Sequence, residues 1–269
     1  MRLRSLLYVP AHNETFVAKA HTRGADALIL DLEDAVPESK KDAARAALTE
    51  AVPLVKRSGA QAFVRINASE RLAEDAGAAL AAGADGIILP KVGRAIDIDQ
   101  LPATSVIALV ESAAGLFFAR EIAAHPHVIA VSLGGEDFAT DTGAAPDPDV
   151  LRLPKLLVHY AAKAEGKASI GLLRSAARFG DTAGLADAAV EAARFGFDGA
   201  TCIHPTVVEV LNSAFTPSEE SIARAERIVA AADAEAAVGR GAFLLDGEFI
   251  DAPVVARHRA ILRRAGLST

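Results

Sequence analysis

The sequence predicts an α/β fold, a (β/α)8 TIM barrel followed by a C-terminal helix-hairpin-helix extension. Short, continuous apolar runs alternate with amphipathic stretches, and one glycine-led phrase recurs where they meet. The phrase begins at Gly24, Gly83 and Gly196, as GADALILDLED, GADGIILPKV and GFDGATCIHP. A glycine between an alanine-rich stretch and a β-branched run is typical of a helix end that leads into a strand. The gaps between the phrases fit two and four βα units of about 28 to 30 residues each.

Eight apolar runs are expected to be strands buried on both faces, because their apolar residues are continuous rather than alternating. The predicted strands are 4–9, 27–31, 62–66, 86–90, 106–110, 128–133, 168–173 and 200–203. The predicted helices are 14–23, 38–58 with a break at Pro53, 69–82, 115–124, 150–166, 183–195 and 206–213; segment 92–102 shows no decisive pattern. Eight alternating units favour a closed barrel, with a doubly wound open sheet as the alternative.

The C-terminal part has a pattern of its own. Residues 217–236 predict an added helix, with Thr216 and Ser218 as candidate N-caps. The stretch FLLDGEFI places an Asp-Gly turn between two apolar arms, which indicates a hairpin, and Pro253 then opens a last helix. We expect a barrel over 1–215 and an extension over 216–269. Because a lone hairpin is not stable in water, we expect the extension to pack on a neighbouring subunit.

Composition limits the class of protein. The chain has 269 residues, a net charge of −7 and one cysteine, Cys202. The negative charge does not favour nucleic-acid or anionic-membrane partners. The sequence shows neither a secretory signal nor an apolar span of about 18 residues, so a cytoplasmic protein is expected. Cys202 lies in an apolar stretch and is interpreted as a core residue.

Polar side chains follow six of the eight predicted strands. They are Asp31, Glu33 and Asp34 after strand two, Arg65 and Asn67 on strand three, Lys91 after strand four, Glu111 after strand five, Glu136 and Asp137 after strand six, and His204 after strand eight. In a (β/α)8 barrel these residues share the C-terminal rim, where such enzymes carry out their chemistry.

Glu111 and Asp137 are the candidate metal ligands. Both follow consecutive strands, and oxygen ligands with little His or Cys indicate a hard cation, Mg²⁺ or Mn²⁺. Gly134 and Gly135 would let the backbone approach a ligand closely. Glu136 is the competing ligand, since adjacent residues of a strand point to opposite faces.

Other chemistries have weaker support. The His125-Pro126-His127 stretch precedes strand six, at the opposite end of the barrel, which argues against a zinc site. Lys91 can in principle form a Schiff base, but the many carboxylates favour an ion pair and a metal. Arg65 interrupts an apolar strand, so it either clamps a substrate carboxylate or pairs with the acids of strand two.

Eight motifs, in this order, resemble the citrate lyase β-subunit-like family of the HpcH/HpaI aldolase group. They are LLYVPAHNETFVAKA, GADALILDLEDAV, FVRIN, GIILPKV, ALVESAAGL, LGGEDFATDTG, IHP and GAFLLDGEFIDAPVV. The resemblance covers nearly the whole chain. It implies a (β/α)8 barrel, a Mg²⁺ cofactor, a trimer or a multiple of trimers, and reversible cleavage of a 3-hydroxyacyl thioester through an enolate.

The same resemblance implies roles for individual residues. The metal ligands fall on Glu111 and Asp137, and Glu111 also contacts substrate. Arg65 binds substrate and takes part in catalysis. The remaining residues with an implied role are Asp31, Glu33 and Pro10 for substrate binding, and Asp34 and Asp251 for catalysis.

The chain departs from the family pattern at three places. Pro10-Ala11 stands where Pro-Gly is usual, and Thr201-Cys202 stands where a tryptophan is usual. The strand-seven region has Gly171, Arg174 and Arg178, without the usual aspartate. These changes fall where the acyl carrier is expected, so CoA and an acyl-carrier protein both stay open.

The sequence therefore indicates a Mg²⁺-dependent carbon–carbon lyase that acts on a CoA or carrier-protein thioester. A metal-dependent class II aldolase of free 2-oxo acids is one alternative. A non-catalytic subunit of a lyase complex is the other.

Overall fold

The computed structural model describes residues 2–68, 70–174 and 181–267, in two compact units, Met1–Phe215 and Thr216–Thr269. Each unit has an apolar cluster of its own. Arg178, one of the departures from the family pattern, lies outside the described residues. No helix of the described part of the chain is long and apolar enough to cross a membrane.

The first unit is built on eight parallel strands, which confirms the predicted (β/α)8 barrel. Neighbouring strands are hydrogen-bonded in the order β7-β6-β5-β4-β3-β2-β1-β8. The strands are β1 Ser5–Pro10, β2 Ala27–Asp31, β3 Gln61–Arg65, β4 Gly86–Leu89, β5 Ser105–Val110, β6 Val128–Leu133, β7 Ala168–Ile170 and β8 Ala200–Cys202.

Helices separate the strands along the chain. They are α1 Glu14–Ala20, α2 Lys41–Val55, α3 Leu72–Ala81, α4 Ala113–Phe117, α5 Ala119–Ala124, α6 Gly135–Thr142, α7 Pro148–Ala164, α8 Thr182–Phe195 and α9 Thr206–Ala214. Several begin at a side-chain cap; Asn13, for example, accepts a hydrogen bond from Phe16 N at the start of α1.

The strands bury apolar side chains on both faces, as their continuous apolar runs predict. On β2, Ala27 and Ile29 belong to one cluster, whereas Leu28 and Leu30 belong to another. The first cluster contains residues of β1 to β7, such as Phe63, and fills the barrel interior. The second joins the outward-facing strand residues to the helices.

The barrel closes at Gly199. β7 and β8 are joined by a bridge between Ile170 and Gly199, and Gly171 N donates to Gly199 O at 2.8 Å. On the other side of Gly199, β8 pairs in parallel with β1. A Cβ at Gly199 would overlap the carbonyl oxygen of Leu3. Only glycine therefore lets the backbone at position 199 come this close to β1.

Three predicted elements need correction, and a segment without a decisive pattern contains a short helix. α2 continues through Pro53 without a break, because the proline lies near its C-terminal end and removes little of the hydrogen-bond ladder. The predicted helix 115–124 is two short helices, α4 and α5. β7 is shorter than predicted and ends before Gly171, whose φ is 154°. Segment 92–102 contains a 3₁₀ helix, Ala95–Gln100.

The stretch GEDFATDT was not predicted to be a helix but forms α6. Glu136 and Asp137 lie in its first turn, where carboxylates interact favourably with the helix dipole. Gly143 ends the helix with a φ of 67°, in the left-handed region that favours glycine. The acids at the start and the glycine at the end are the sequence signals that could have identified this helix.

The second unit has the predicted helix-hairpin-helix order. It contains α10 Glu219–Ala237, β9 Phe243–Leu245, β10 Glu248–Ile250 and α11 Ala252–Ala265. Ser218 caps α10 as expected, and Asp251 caps α11 by accepting a hydrogen bond from Val254 N. Asp246 and Gly247 turn the hairpin with positive φ values.

Substitution of Gly199 by alanine tests the closure. We expect Gly199→Ala to lower the free energy of unfolding by about 2 kcal/mol or more, because backbone atoms must move to admit the new methyl. Urea unfolding followed by circular dichroism measures this change.

Gly77→Ala is the matched control for this substitution. Gly77 lies within α3, and a Cβ there would meet nothing within 4 Å. Alanine should therefore stabilise that helix by about 0.5–1 kcal/mol. Equal stability of Gly199→Ala and the wild-type protein would contradict the closure account.

Candidate active site

Six of the polar residues predicted at the rim line one cavity, whereas Glu33, Asn67 and Lys91 line a second one and His204 lines neither. The first cavity has a volume of about 540 Å³ and opens at the carboxyl ends of the barrel strands. β2 and β3 bring Asp31, Asp34 and Arg65 to it, β5 leads into Glu111, and α6 supplies Glu136 and Asp137. The parallel topology causes this convergence, because every strand ends at the same rim.

Arg65 is the centre of an ion-pair cluster with the acids of strand two. Its Nε and Nη2 atoms donate to the two carboxylate oxygens of Asp31, both at 2.7 Å. Its Nη1 atom lies 2.9 Å from Glu33 Oε2 and 2.9 Å from Asp34 Oδ2. The guanidinium also lies over the ring of Tyr8, with Cζ 4.9 Å from the centroid. The structural ion pair left open by the sequence is therefore present.

Asp31 also fixes the loop that follows β2. Its carboxylate accepts hydrogen bonds from Glu33 N at 2.9 Å and Ala35 N at 3.1 Å. Four hydrogen bonds in total, two from Arg65 and two from the loop, satisfy a side chain that is 1% exposed. Bidentate charge-assisted pairs of this kind define orientation as well as affinity. Pro10 lies beside this residue, since it is the register partner of Asp31 in the β1–β2 pair.

Glu111 is held by backbone rather than by a cation. Lys91 N donates to Glu111 Oε2 at 2.8 Å, and Lys91 has a φ of 56°. A Cβ on Gly134 would overlap Glu111 Oε1, so the carboxylate rests directly against the backbone there. The Lys91 ammonium pairs instead with Glu33 at 3.2 Å. The expected ion-pair role of Lys91 is therefore confirmed.

Burial raises the pKa of the Glu111 carboxyl to about 7, and the nearby carboxylates of Glu33 and Asp137 act in the same direction. Burial likewise raises the pKa of Glu33, against the lowering effect of Arg65. Negative charge is therefore incompletely compensated at Glu111.

This excess of negative charge fits a cation. Within residues 2–68, 70–174 and 181–267, no group of three or more His, Cys, Asp or Glu residues converges as a metal site. Glu111 and Asp137 both line the cavity and could supply two carboxylate ligands, with the other positions left to water and substrate, which is the usual arrangement for Mg²⁺.

Glu136 and Asp137 cannot be separated by strand parity, because both belong to a helix. Both residues line the cavity. The expectation that they point to opposite faces as adjacent strand residues was wrong for this reason, and the choice between them stays open. Asp137 acts on the pKa of Glu111, whereas Glu136 acts on that of Lys155, so they face different neighbours.

The sequence did not identify Tyr8 and Lys155 as cavity residues. Tyr8 alternates on β1 with Leu7 and Val9, and this inward position is the signal that could have identified it. Lys155 lies on α7, well beyond the end of β6, so no strand-end pattern marks it.

The remaining residues lie as follows. Asn67 belongs to a buried network with Asp75 and Lys41. His125 pairs with Asp99 at 3.1 Å. Cys202 is buried, and burial raises the pKa of its thiol to about 12, which confirms a core role. Asp251 belongs to the second unit, where it caps α11.

The fold and the cavity define a (β/α)8-barrel protein with an acid-rich site at the carboxyl rim of its strands. Residues 4–205 match the family model described as HpcH/HpaI aldolase/citrate lyase, and the chain belongs to this family. The resemblance stated from the motifs is thereby confirmed.

The relatives include proteins with different named activities. A (3S)-malyl-CoA thioesterase of Cereibacter sphaeroides is 35% identical over 97% of this chain and 94% of its own length. The citrate lyase subunit beta of Escherichia coli is 32% identical over 98% of this chain and 94% of its own length.

A solved structure matches over nearly the whole chain. The protein CitE from Mycobacterium tuberculosis, in complex with magnesium, acetoacetate and coenzyme A, is 37% identical. It has a TM-score of 0.83, with 97% of each chain covered. Another structure, of the citrate lyase beta subunit from the same organism, contains oxaloacetate and magnesium; its TM-score is 0.72 at 35% identity, covering 81% of this chain and all of the other.

Arg65→Lys tests whether the guanidinium does more than hold its neighbours. Lysine keeps the charge but loses the two-pronged pair with Asp31, so we expect a loss of about 1–3 kcal/mol in the free energy of unfolding. We also expect turnover to fall by at least about a hundredfold, since a displaced binding group loses transition-state contacts. Steady-state kinetics and urea unfolding measure the two effects.

Arg45→Lys provides the matched control. Arg45 is similarly buried and pairs with Asp75 at 2.6 Å, away from the cavity. We expect a similar stability loss with nearly unchanged turnover. If activity falls equally in both variants, Arg65 is only structural.

Proposed function

We propose that the protein is a Mg²⁺-dependent carbon–carbon lyase that cleaves a 3-hydroxyacyl thioester, or forms it in the reverse direction. The observation that carries this proposal is the pairing of two kinds of group in one cavity. Among the described residues, Glu111 and Asp137 are carboxylates without an ion pair to a cationic side chain. Arg65 is a rigidly held cation that lines the same cavity.

Glu111 and Asp137 are the residues that would hold the metal. The magnesium in the Mycobacterium tuberculosis structures supports this assignment, as does the close seat of Glu111 against Gly134. Bound there, Mg²⁺ would polarise the oxygens of the substrate and favour negative charge that develops on them.

The side chains of the cluster can bind and orient the substrate. The Nη1 edge of Arg65 is paired with Asp34, which is largely exposed, so a substrate carboxylate or carbonyl oxygen can reach this edge from the cavity by displacing the Asp34 carboxylate. Asp31 and Glu33 hold the guanidinium in place during this contact. Pro10, the register partner of Asp31 on β1, is proposed to contact substrate beside it.

The reaction requires two proton movements. The hydroxyl on C3 loses its proton as the C2–C3 bond breaks, which leaves a carbonyl compound and an enolate. A proton then adds to C2 and gives the shorter acyl thioester. Asp34 is a candidate for one of these transfers, because it is exposed to the cavity and close to Arg65. Asp251 is the candidate for the other.

The carrier of the acyl group is proposed to be CoA. The coenzyme A in the Mycobacterium tuberculosis complex and the CoA thioester in the name of the Cereibacter sphaeroides relative support this choice. An acyl-carrier protein is the alternative.

Thioester hydrolysis is the second candidate activity. It is favoured by the 35% identity with the (3S)-malyl-CoA thioesterase, which extends over 97% of this chain. Both reactions can begin from the same bound thioester, and they differ in which bond breaks.

Product analysis separates the two activities. We expect citramalyl-CoA or citryl-CoA with Mg²⁺ to give acetyl-CoA and a 2-oxo acid, because a metal and Arg65 in one cavity would stabilise the enolate that forms when the C2–C3 bond breaks. Liquid chromatography with mass spectrometry identifies the products. Release of free CoA with the intact hydroxy acid would instead show a thioesterase.

The metal assignment predicts the behaviour of two near-isosteric variants. Glu111→Gln and Asp137→Asn each remove one anionic ligand, so we expect most of the Mg²⁺ affinity to be lost while the fold is retained. Isothermal titration measures the binding, and Glu50→Gln, an exposed glutamate of α2, is the control. Unchanged Mg²⁺ binding in both variants would refute the assignment.

We further propose that the extension completes the site of a neighbouring subunit in a homo-oligomer, a trimer or a multiple of trimers. Leu244 and Phe249 of the hairpin are 72% and 61% exposed, and such apolar groups favour a protein surface. Asp251 directly follows this hairpin and is the acid that would reach the neighbouring site.

Mixing two inactive variants tests a shared site. Asn is as good an N-cap as Asp, so Asp251→Asn should keep α11 intact while it removes the acid. If Asp251→Asn is mixed with Glu111→Gln under subunit exchange, some sites obtain both intact residues and part of the activity returns. An absence of recovery despite proven exchange would place Asp251 outside a shared site.

A further inference from the structure

Lys155 is the basic residue of the cavity that the proposed reaction does not use. It lies on α7, outside the strands, but its side chain reaches the cavity that contains Glu111 and Asp137. A Cβ built on Gly135 would lie 3.7 Å from Lys155 Cε and 4.0 Å from its Nζ. The ammonium therefore lies against the first residue of α6.

The ammonium has no anionic partner of its own. Among residues 2–68, 70–174 and 181–267, no hydrogen bond or ion pair is formed by the Lys155 side chain. Burial lowers the pKa of Lys155 to about 8, while the carboxylate of Glu136 acts in the opposite direction. A half-buried ammonium without an ion pair among the described residues costs stability, and a ligand carboxylate would supply that pair.

A second cavity meets the first at this lysine. It has a volume of about 110 Å³ and lies between α7 and the strands β6, β7 and β8. The two cavities share Ser132, Leu133, Lys155 and Thr201. Arg174, which also lines the smaller cavity, pairs with Glu191.

The smaller cavity suits a short polar group. A water molecule occupies about 30 Å³ in the liquid, so this volume admits a carboxylate on a single methylene. The side chains of Ser132 and Thr201 offer hydroxyl groups that can donate hydrogen bonds to such a carboxylate.

This subsite is within reach of a substrate bound at the proposed metal ligands. Gly134 lies against the carboxylate of Glu111, and the Lys155 side chain lies near the next residue, Gly135. Consecutive Cα atoms are about 3.8 Å apart. The Glu111 carboxylate and the Lys155 ammonium therefore lie near two adjacent residues of the chain. The first N–H groups of α6 add positive partial charge beside the Lys155 ammonium.

We propose that Lys155 determines substrate specificity by binding a second carboxylate of the acyl group, which enters the smaller cavity. This inference rests on the proposed lyase function. It identifies the preferred substrate class as thioesters whose C3 bears both a carboxylate and a carboxymethyl group, rather than a carboxylate and a methyl group.

A pair of thioesters tests the proposal directly. Citryl-CoA and citramalyl-CoA differ in this one carboxylate. We expect Lys155→Met to lower kcat/KM for citryl-CoA about tenfold to a hundredfold, the effect of a lost charged hydrogen bond. We expect the value for citramalyl-CoA to stay within about twofold, and Lys155→Arg to restore part of the preference.

Binding of stable acids gives a readout that does not depend on turnover. Malate and lactate present the same carboxylate and hydroxyl and differ in a second carboxylate. In the presence of Mg²⁺, the wild-type protein should bind malate more tightly, and Lys155→Met should remove that difference. Isothermal titration measures both affinities, and Lys19→Met, an exposed lysine of α1, is the charge-matched control.

Thermal unfolding of the ligand-free protein excludes a purely structural role. Because Lys155→Met removes an unpaired, half-buried charge, the variant should be at least as stable as the wild-type protein. A lower melting temperature, with equal loss of both activities, would overturn the proposal.

The outcomes also separate this inference from the lyase function. If the wild-type protein cleaves both thioesters and Lys155→Met affects them equally, the inference fails and the lyase function stands. If the wild-type protein cleaves neither, the lyase function fails, and the comparison of malate with lactate still decides the role of Lys155.

Discussion

The pair between Arg65 and Asp31 is the interaction on which the rest of the site depends. Arg65 ends β3 and Asp31 ends β2, so the two side chains meet because the strands are parallel neighbours in register. The guanidinium also balances the negative charge of Glu33 and Asp34. Three carboxylates can therefore lie close together at the end of β2. Without it, the buried acids would repel one another and the loop after β2 would lose its anchor.

At the described residues, the negative charge of the carboxylates is balanced by cations on one side of the cavity but not on the other. This difference suggests the chemistry of the site. On the side of β2, Arg65 balances the acids. On the side of β5 and α6, Glu111 is held by a backbone hydrogen bond, and its pKa is raised by burial and by the nearby carboxylates of Glu33 and Asp137. Glu111 and Asp137 would hold a divalent ion there, and its charge would balance these carboxylates. Lys155 is the reverse case, a cation that forms no ion pair with the part of the chain that the structure describes.

Much of the fold follows from the sequence because its signals are local. The glycine-led phrases locate helix ends, and the continuous apolar runs locate strands, so the barrel and its extension could be predicted. α6 was missed because Gly134-Gly135 and three acids resemble a turn. The rim acids could be predicted, since the topology collects strand ends. Lys155 could not, because its position depends on how α7 packs beside β6, which no local pattern encodes.

The location of the metal tests the central claim most directly. Crystals grown with Mn²⁺ in place of Mg²⁺ give an anomalous signal at the ion. The account predicts one peak in the main cavity, within coordination distance of the carboxylates of Glu111 and Asp137, and none there in Glu111→Gln. A peak beside other residues, or cleavage by a protein that binds no metal in this cavity, would contradict it.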